Sequence, residues 1–406
     1  MGEFAEALKY ASHILREAQP FQVITHGDVD GVAAGALAAS AFDCEVIIQK
    51  RLDLEKIDPS RFTLFLDLGS SQLEEIKKGF TNYLVVDHHP GGEDTNVLNP
   101  WIHNIDGTRV LCTAATFYLV VKQLGESYKR LSYLGVVGIL GDRQLFTGEN
   151  AEIVKDATES GVLKDDVLFG RYNLSEFVEV VNACCRHSRK ELALKVCLLH
   201  NYEEGRKELE KYRVTFQKDL DFLTGKWDVI EQENRGRTSF YVHDTSITPK
   251  YAGELATFLA RKYGKTVIIL VNDSEGIKIS GRSVSSLVKK GVDLGKAFRG
   301  FGGGHDIAAG AFLESPEMIE TFIRVTDERL HHMVTPVVVT LDIPVKDAEK
   351  VMKALVIDNE GYDSIHLTAA DNHIIGKVEG LPGTVKNITD DIIACIISAV
   401  HIMEED

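Results

Sequence analysis

The sequence predicts an α/β protein with a parallel-sheet N-terminal domain, a helical connector, a second α/β domain and a small α+β C-terminal domain. Three observations carry this expectation. Short β-rich runs alternate with helical patterns over residues 1–150, as they do in a parallel sheet with helices on both faces. The pattern turns helical over 151–226, and strands return beyond it. After Pro336 the order becomes strand, helix, strand, strand, helix. At 406 residues the chain exceeds what one hydrophobic core normally serves. We therefore divide it into 1–150, 151–230, 231–335 and 336–406.

In the first domain, the apolar runs at 21–25, 45–48, 63–66 and 83–86 are the expected strands, and 31–41 is an expected helix. In the connector, Leu209, Tyr212, Phe216, Leu220 and Leu223 recur at three- and four-residue steps, which is one stripe of a helix. The second α/β domain takes strands at 239–243, 267–271 and 278–280, a helix at 250–262 and a glycine-rich stretch at 300–304. The last domain takes strands at 337–343, 365–369 and 373–378 and helices at 345–355 and 390–402.

Hydrophobic residues make up 44% and charged residues 26%, the composition of a globular protein and not of a disordered or fibrous one. No run of about 18 apolar residues exists to cross a membrane. Residues 1–19 mix Glu, Lys and Arg as an amphipathic helix does, and not as a signal peptide does, so the expected location is the cytoplasm. Cysteines at 44, 112, 184, 185, 197 and 395 lack zinc-site spacing and are expected as buried free thiols. The net charge of −16 disfavours a broad basic surface gripping long nucleic acid, and leaves a short substrate or a local basic groove.

The chemistry is concentrated at the ends of apolar elements. His26, Asp28 and Asp30 alternate directly after the first strand, and Gly31 lets the chain turn closely into the helix. Asp67 ends the third strand; Asp87, His88 and His89 end the fourth; Asp142 follows Gly138-Ile-Leu-Gly141. Open parallel sheets gather functional groups at these C-terminal ends. Carboxylates so crowded would repel and take up protons unless cations neutralised them. Carboxylate with imidazole suits Mn²⁺ or Mg²⁺, and two metals about 3.5–4 Å apart are a common arrangement for phosphodiester hydrolysis.

These motifs, HGDVDG, LFLDLG, VVDHHPGG and GILGD, resemble those of the DHH phosphoesterase superfamily, in its RecJ-like exonuclease or nanoRNase branch. The resemblance implies two Mn²⁺ ions, or Mg²⁺. His26, Asp28 and Asp67 would hold one, Asp30, Asp67, His88 and Asp142 the other, with Asp67 as the bridge. It makes Asp87 an orienting or completing group and turns His89 toward the scissile phosphate. The implied reaction is attack of a metal-activated hydroxide on phosphorus, without a covalent nucleophile.

Downstream, Ser280-Gly281-Arg282-Ser283, the run Gly302-Gly303-Gly304-His305 and Ala308-Ala309-Gly310 resemble the DHHA1 domain, which the resemblance makes a clamp closing over the substrate phosphate. Arg282, Ser283, Gly302, Gly303, Gly304 and His305 are the implied substrate contacts. Where the family often has a fourth glycine this chain has Phe301, which we take for a core aromatic and not a base-stacking ring. The tail, 337–404, is similar to the small dimerising subunit of the KEOPS tRNA-modification complex in its element order and in the helix around Thr389, Asp390, Asp391 and Ile392. That similarity implies homodimer pairing, contact with nucleic acid or a replication or repair partner. A generic small α/β cap fits the same order.

The expected activity is thus hydrolysis of single-stranded DNA or RNA, or of short oligonucleotides, from one end. A phosphodiesterase acting on cyclic dinucleotides or nucleoside bisphosphates is the alternative within enzymes. A non-catalytic replication scaffold is the alternative outside them.

Overall fold

The computed structural model describes residues 2–233, 239–274, 276–359 and 365–405. The chain divides within one long helix into two compact units, Met1–Val214 and Thr215–Asp406.

Unit one opens with α1 (Gly2–Ala18), β1 (Phe21–His26), α2 (Val29–Ala41), β2 (Cys44–Gln49), β3 (Thr63–Leu66), α3 (Leu73–Gly79), β4 (Tyr83–Val86) and β5 (Val97–Leu98). The five strands form one all-parallel sheet in the order β2-β1-β3-β4-β5. Every residue of β3 and β4 is buried, as expected of parallel strands covered on both faces. On one face Ile24, Phe65 and Val85 pack with Leu73, Ile76 and Phe80 of the α3 segment. On the other lies the main core, joined by α4 (Thr113–Lys122) and α5 (Ser132–Gly141). Helix α2 is buried from Val29 to Ala38; its alanines and glycines let it pack closely against α4, α5 and the sheet.

The connector follows as α6 (Glu149–Glu159), the short strands β6 (Leu163–Lys164), β7 (Val167–Leu168) and β8 (Tyr172–Asn173), then α7 (Leu174–Arg186), α8 (Lys190–Cys197) and α9 (Tyr202–Gly225). The three strands make a small antiparallel sheet that the helical pattern of the sequence hides, because two-residue strands are too short to show a period. Phe177, Val180, Cys184, Ala193, Val196 and Leu209 enter the same core as the first sheet's helices.

Unit two contains the rest of α9, α10 (Trp227–Glu233), β9 (Ser239–His243), α11 (Ala252–Tyr263), β10 (Thr266–Asp273), β11 (Gly276–Arg282), α12 (Ser285–Val288), α13 (Leu294–Ala297), β12 (Gly302–Gly304), β13 (Ala308–Leu313) and α14 (Met318–Val334). Its sheet runs β12-β13-β11-β10-β9, with β9 parallel to β10 and the other pairs antiparallel. Helix α11 packs on β10 and β11. Phe298 and Phe322 meet edge to face at 5.1 Å in a core that β10, β11, β13, α13 and α14 share. Phe301 joins it, edge-on to Phe322 at 5.3 Å.

The C-terminal part consists of β14 (Val337–Pro344), α15 (Ala348–Asn359), β15 (Ile365–Ala370), β16 (His373–Gly380) and α16 (Pro382–Glu405). The antiparallel sheet β14-β16-β15 packs one face on both helices through Leu341, Val351, Ile374, Val378, Ile392 and Ile396. Among the described residues, no helix is long and apolar enough to cross a membrane. All six cysteines are free thiols, three of them buried.

Candidate metal centre

Parallel pairing of β1, β3 and β4 brings three strand ends side by side in unit one. His26 is the last residue of β1; Asp28 caps α2, its Oδ1 accepting the Gly31 N–H at 3.0 Å. A Cβ on Gly31 would stand 2.5 Å from the His26 carbonyl oxygen, so this turn needs glycine. Asp67 follows β3 at φ +61, a left-handed conformation that aspartate tolerates better than most residues, while its N–H continues the ladder to Val86.

His26 Nδ1 lies 3.0 Å from Asp28 Oδ2 and 3.4 Å from Asp67 Oδ2. Despite this proximity, His26 Nδ1 and Asp67 Oδ2 are both buried without a hydrogen-bond partner. Such orphaned atoms are rare, and two of them facing one another fit a cation between them. The other oxygen of Asp67 accepts the Thr113 hydroxyl at 3.1 Å and lies 3.5 Å from His88 Nε2. His88 Nε2 is also 3.1 Å from Asp142 Oδ2 and 4.0 Å from Asp30 Oδ2. Three sets have ligand atoms within 4.8 Å of one another: His26, Asp28 and Asp67; Asp30, His88 and Asp142; and Asp67, His88 and His89.

Second contacts fix these groups. His88 Nδ1 donates to the Gly107 carbonyl at 2.7 Å, which turns Nε2 toward the carboxylates. Fully buried Asp30 accepts the first two N–H groups of α4, Thr113 at 2.8 Å and Ala114 at 2.9 Å, where a helix N-terminus favours an anion. Gly138 in α5 leaves room for it: a Cβ there would stand 2.5 Å from Asp30 Oδ1 and from Ala114 Cβ. Asp87 accepts N–H groups from Ser70, His88 and His89 and the His89 ring at 2.8 Å, so it braces the loop and aims His89. Thr113, Gly107 and Gly138 stand outside the residues that the sequence singles out by role, because they act through a hydroxyl, a carbonyl and an absent side chain.

The electrostatics follow from crowding. The Asp28 carboxylate pushes His26 up to about 11 against the effect of its own burial. Burial would lower His88, yet Asp67, Asp142 and Asp30 outweigh it and hold the imidazole well above its usual range. Burial, with Asp67 and Asp142 nearby, lifts Asp30 well above the carboxylate range, and burial lifts Asp142 to about 7 against the opposing pull of His88. Burial would raise Asp87 too, but the hydrogen bond from His89, with the two imidazoles and the Ser70 N–H, brings it down to about 2. Without cations the cluster therefore holds protons, and the mixed carboxylate and imidazole donors suit Mn²⁺ or Mg²⁺ in their place.

In unit two, Gly302, Gly303, Gly304 and His305 line a pocket of about 410 Å³ with Asp293, Gly295, Lys296, Arg299 and Asp306. A Cβ on Gly302 or Gly304 would collide with the carbonyl of Gly310 or Ala308 across the strand pair, whereas Gly303 faces open space. Arg282 and Ser283 are not among the lining residues. Arg282 donates to the Gly281 carbonyl at 2.7 Å and reaches the Ala309 carbonyl at 3.4 Å, and the Ser283 hydroxyl bonds Thr266 at 2.8 Å. Lys296 and Arg299 are the cationic groups here that sequence motifs left unmarked.

Residues 237–332 match the DHHA1 domain family. An uncharacterised protein of Methanocaldococcus jannaschii is 26% identical over 405 residues, spanning 76% of this chain and 92% of its own. RecJ from Thermus thermophilus in complex with Mn²⁺ superposes with a TM-score of 0.63 at 20% identity, over 88% of this chain and 60% of its own. An exonuclease RecJ bound to manganese superposes at 0.57 and 20% identity, over 80% of this chain and 94% of its own. The chain thus spans less than two thirds of the Thermus protein. Residues 237–332 thus form a DHHA1-family domain, and the chain as a whole shares the fold of the RecJ structures.

Proposed function

We propose that the protein is a phosphodiesterase dependent on two Mn²⁺ or Mg²⁺ ions that trims single-stranded nucleic acid or short oligonucleotides from an end. The observation that carries this is the orphaned pair, His26 Nδ1 and Asp67 Oδ2, inside a carboxylate and imidazole cluster drawn from four segments. His26, Asp28 and Asp67 would hold one cation, Asp30, Asp67, His88 and Asp142 the other. Divalent cations in such a site neutralise phosphoryl oxygens and activate water near neutral pH.

The chain's own groups divide the remaining work. Asp67 presents one oxygen toward His26 and the other toward His88, which supports its role as the shared ligand. His89, half-exposed and aimed by Asp87, donates to the scissile phosphate. In the DHHA1 domain the glycine strand and His305 take a substrate phosphate, with Lys296 and Arg299 lining the same pocket, while the Arg282 guanidinium braces the neighbouring strands through the Gly281 and Ala309 carbonyls. The Ser283 hydroxyl ties the end of β11 to the start of β10 through Thr266.

Labelled single-stranded DNA, RNA, dinucleotides and cyclic dinucleotides digested with Mn²⁺ and resolved by length test the proposal. A ladder that shortens from one end supports it; cleavage of cyclic dinucleotides alone favours the second reading, which the net charge of −16 supports. A scaffold without catalysis expects the carboxylates to be replaced, and here the set is whole.

A further inference from the structure

The turn between β1 and α2 has a cationic neighbour from far along the chain. Lys190, the first residue of α8, is half-buried, and its Cε lies 3.1 Å from where a Cβ on Gly27 would stand. Its stem thus crosses the turn that joins His26 to Asp28. Its Nζ is 3.5 Å from the Ile48 carbonyl oxygen, on the edge strand β2, at the limit of a hydrogen bond.

β2 adds a second ammonium. Its register sets Gln49 beside His26, so Lys50 leaves the sheet at the same end as the metal centre. The Gln49 side chain pins the loop that follows, accepting the Asp53 N–H at 2.7 Å and reaching the Asp53 carbonyl at 3.3 Å. The Asp53 carboxylate is occupied by Lys56 at 2.7 Å. Lys50 is exposed, and neither Lys50 nor Lys190 has a carboxylate partner among the described residues. Burial holds the Lys190 ammonium below its usual range, with the Glu191 carboxylate opposing that effect and the like charge of Lys50 adding to it. Lys50 and the Lys190 stem thus both lie at the end of the sheet that carries His26, where the backbone phosphates of a strand entering the metal centre would meet them.

We infer that Lys50 and Lys190 form a track for the phosphodiester backbone of a single strand beyond its scissile bond. The inference rests on the proposed phosphodiesterase activity and narrows its substrate to strands of several nucleotides, since a dinucleotide has no phosphodiester left for the track. Lysine offers a point charge without base readout, which suits a sequence-independent grip. A local track also reconciles nucleic-acid binding with an acidic chain.

The test uses the full chain with Mn²⁺, a labelled decanucleotide and a dinucleotide, in the wild type and in Lys50→Ala, Lys190→Ala and Lys190→Arg. Metal content and melting temperature establish that the variants are folded and loaded; Lys50→Ala, on an exposed loop, covers the case in which Lys190→Ala fails to fold. Both alanine variants are expected to raise KM for the decanucleotide far more than for the dinucleotide. Each should reduce the salt slope of decanucleotide binding, read by fluorescence anisotropy, by about 0.7, with Lys190→Arg restoring it. Unchanged binding and an unchanged slope overturn the track. A wild type that cleaves neither substrate but binds with a lysine-dependent slope leaves the track standing and overturns the phosphodiesterase reading.

Discussion

At the scale of single residues, the centre depends on groups that carry no charge. Thr113 serves two acids at once, its hydroxyl on Asp67 and its N–H on Asp30. Thr113→Val keeps the shape and the N–H but removes the hydroxyl donor. It should weaken Mn²⁺ affinity by about 10- to 100-fold, as loss of an outer hydrogen bond to a ligand does, with little change in helix content. Calorimetric titration of the metal-stripped variant checks this; wild-type affinity would mean that Asp67 needs no such brace. The acids and imidazoles themselves are legible in the sequence because they end apolar runs. Thr113 is not, since it is placed by the left-handed turn at Leu111 (φ +58) that starts α4, far along the chain from Asp67.

At the scale of elements, the connector is tied to itself by charge. Glu208 of α9 is buried and accepts from His187 Nδ1 at 2.7 Å and Lys211 Nζ at 2.8 Å. The hydrogen bond from Lys211, helped by His187, holds its carboxyl below the usual range against the effect of burial. A depressed carboxyl stabilises the fold above its unfolded pKa, and that contribution is lost as pH falls through the lower folded value. Glu208→Gln should therefore cost about 1–3 kcal/mol at neutral pH, and the difference from wild type should shrink in acid. Thermal unfolding at several pH values reads this, and a pH-independent difference would contradict it. In the second domain, Arg282 bonds the Gly281 carbonyl whereas Arg299 lines the glycine pocket. Arg282→Ala is expected to lower melting temperature as well as turnover, while Arg299→Ala lowers kcat/KM by about tenfold, the loss of one charge-assisted contact, at unchanged stability and metal content. The glycine run was legible as a close approach to something, but that Gly302 and Gly304 first serve the β12–β13 pairing emerges only from the register.

At the scale of the whole molecule, the fold was readable where burial is two-sided and opaque where tertiary packing decides. The four strands expected in the parallel sheet are apolar runs and stand within a residue of their expected limits, as at β1 and β2, whereas β5 (Val97–Leu98) is not expected from the sequence, its two residues being too short to show a pattern. The connector reads as helix, yet its core is continuous with that of the first sheet, and Lys190 reaches back to Gly27 from the far end of the unit's sequence; no local pattern encodes either. The proposed two-cation centre, built from four segments with Asp67 shared, is open to a direct test by metal stoichiometry measured alongside cleavage. Protein stripped with EDTA should lose cleavage of a labelled single strand, regain it with Mn²⁺ better than with Ca²⁺, and bind two ions, whereas Asp67→Ala should lose both bound metal and turnover. Full turnover of the stripped protein in EDTA, or two tightly bound ions with near-normal turnover in Asp67→Ala, would contradict the account.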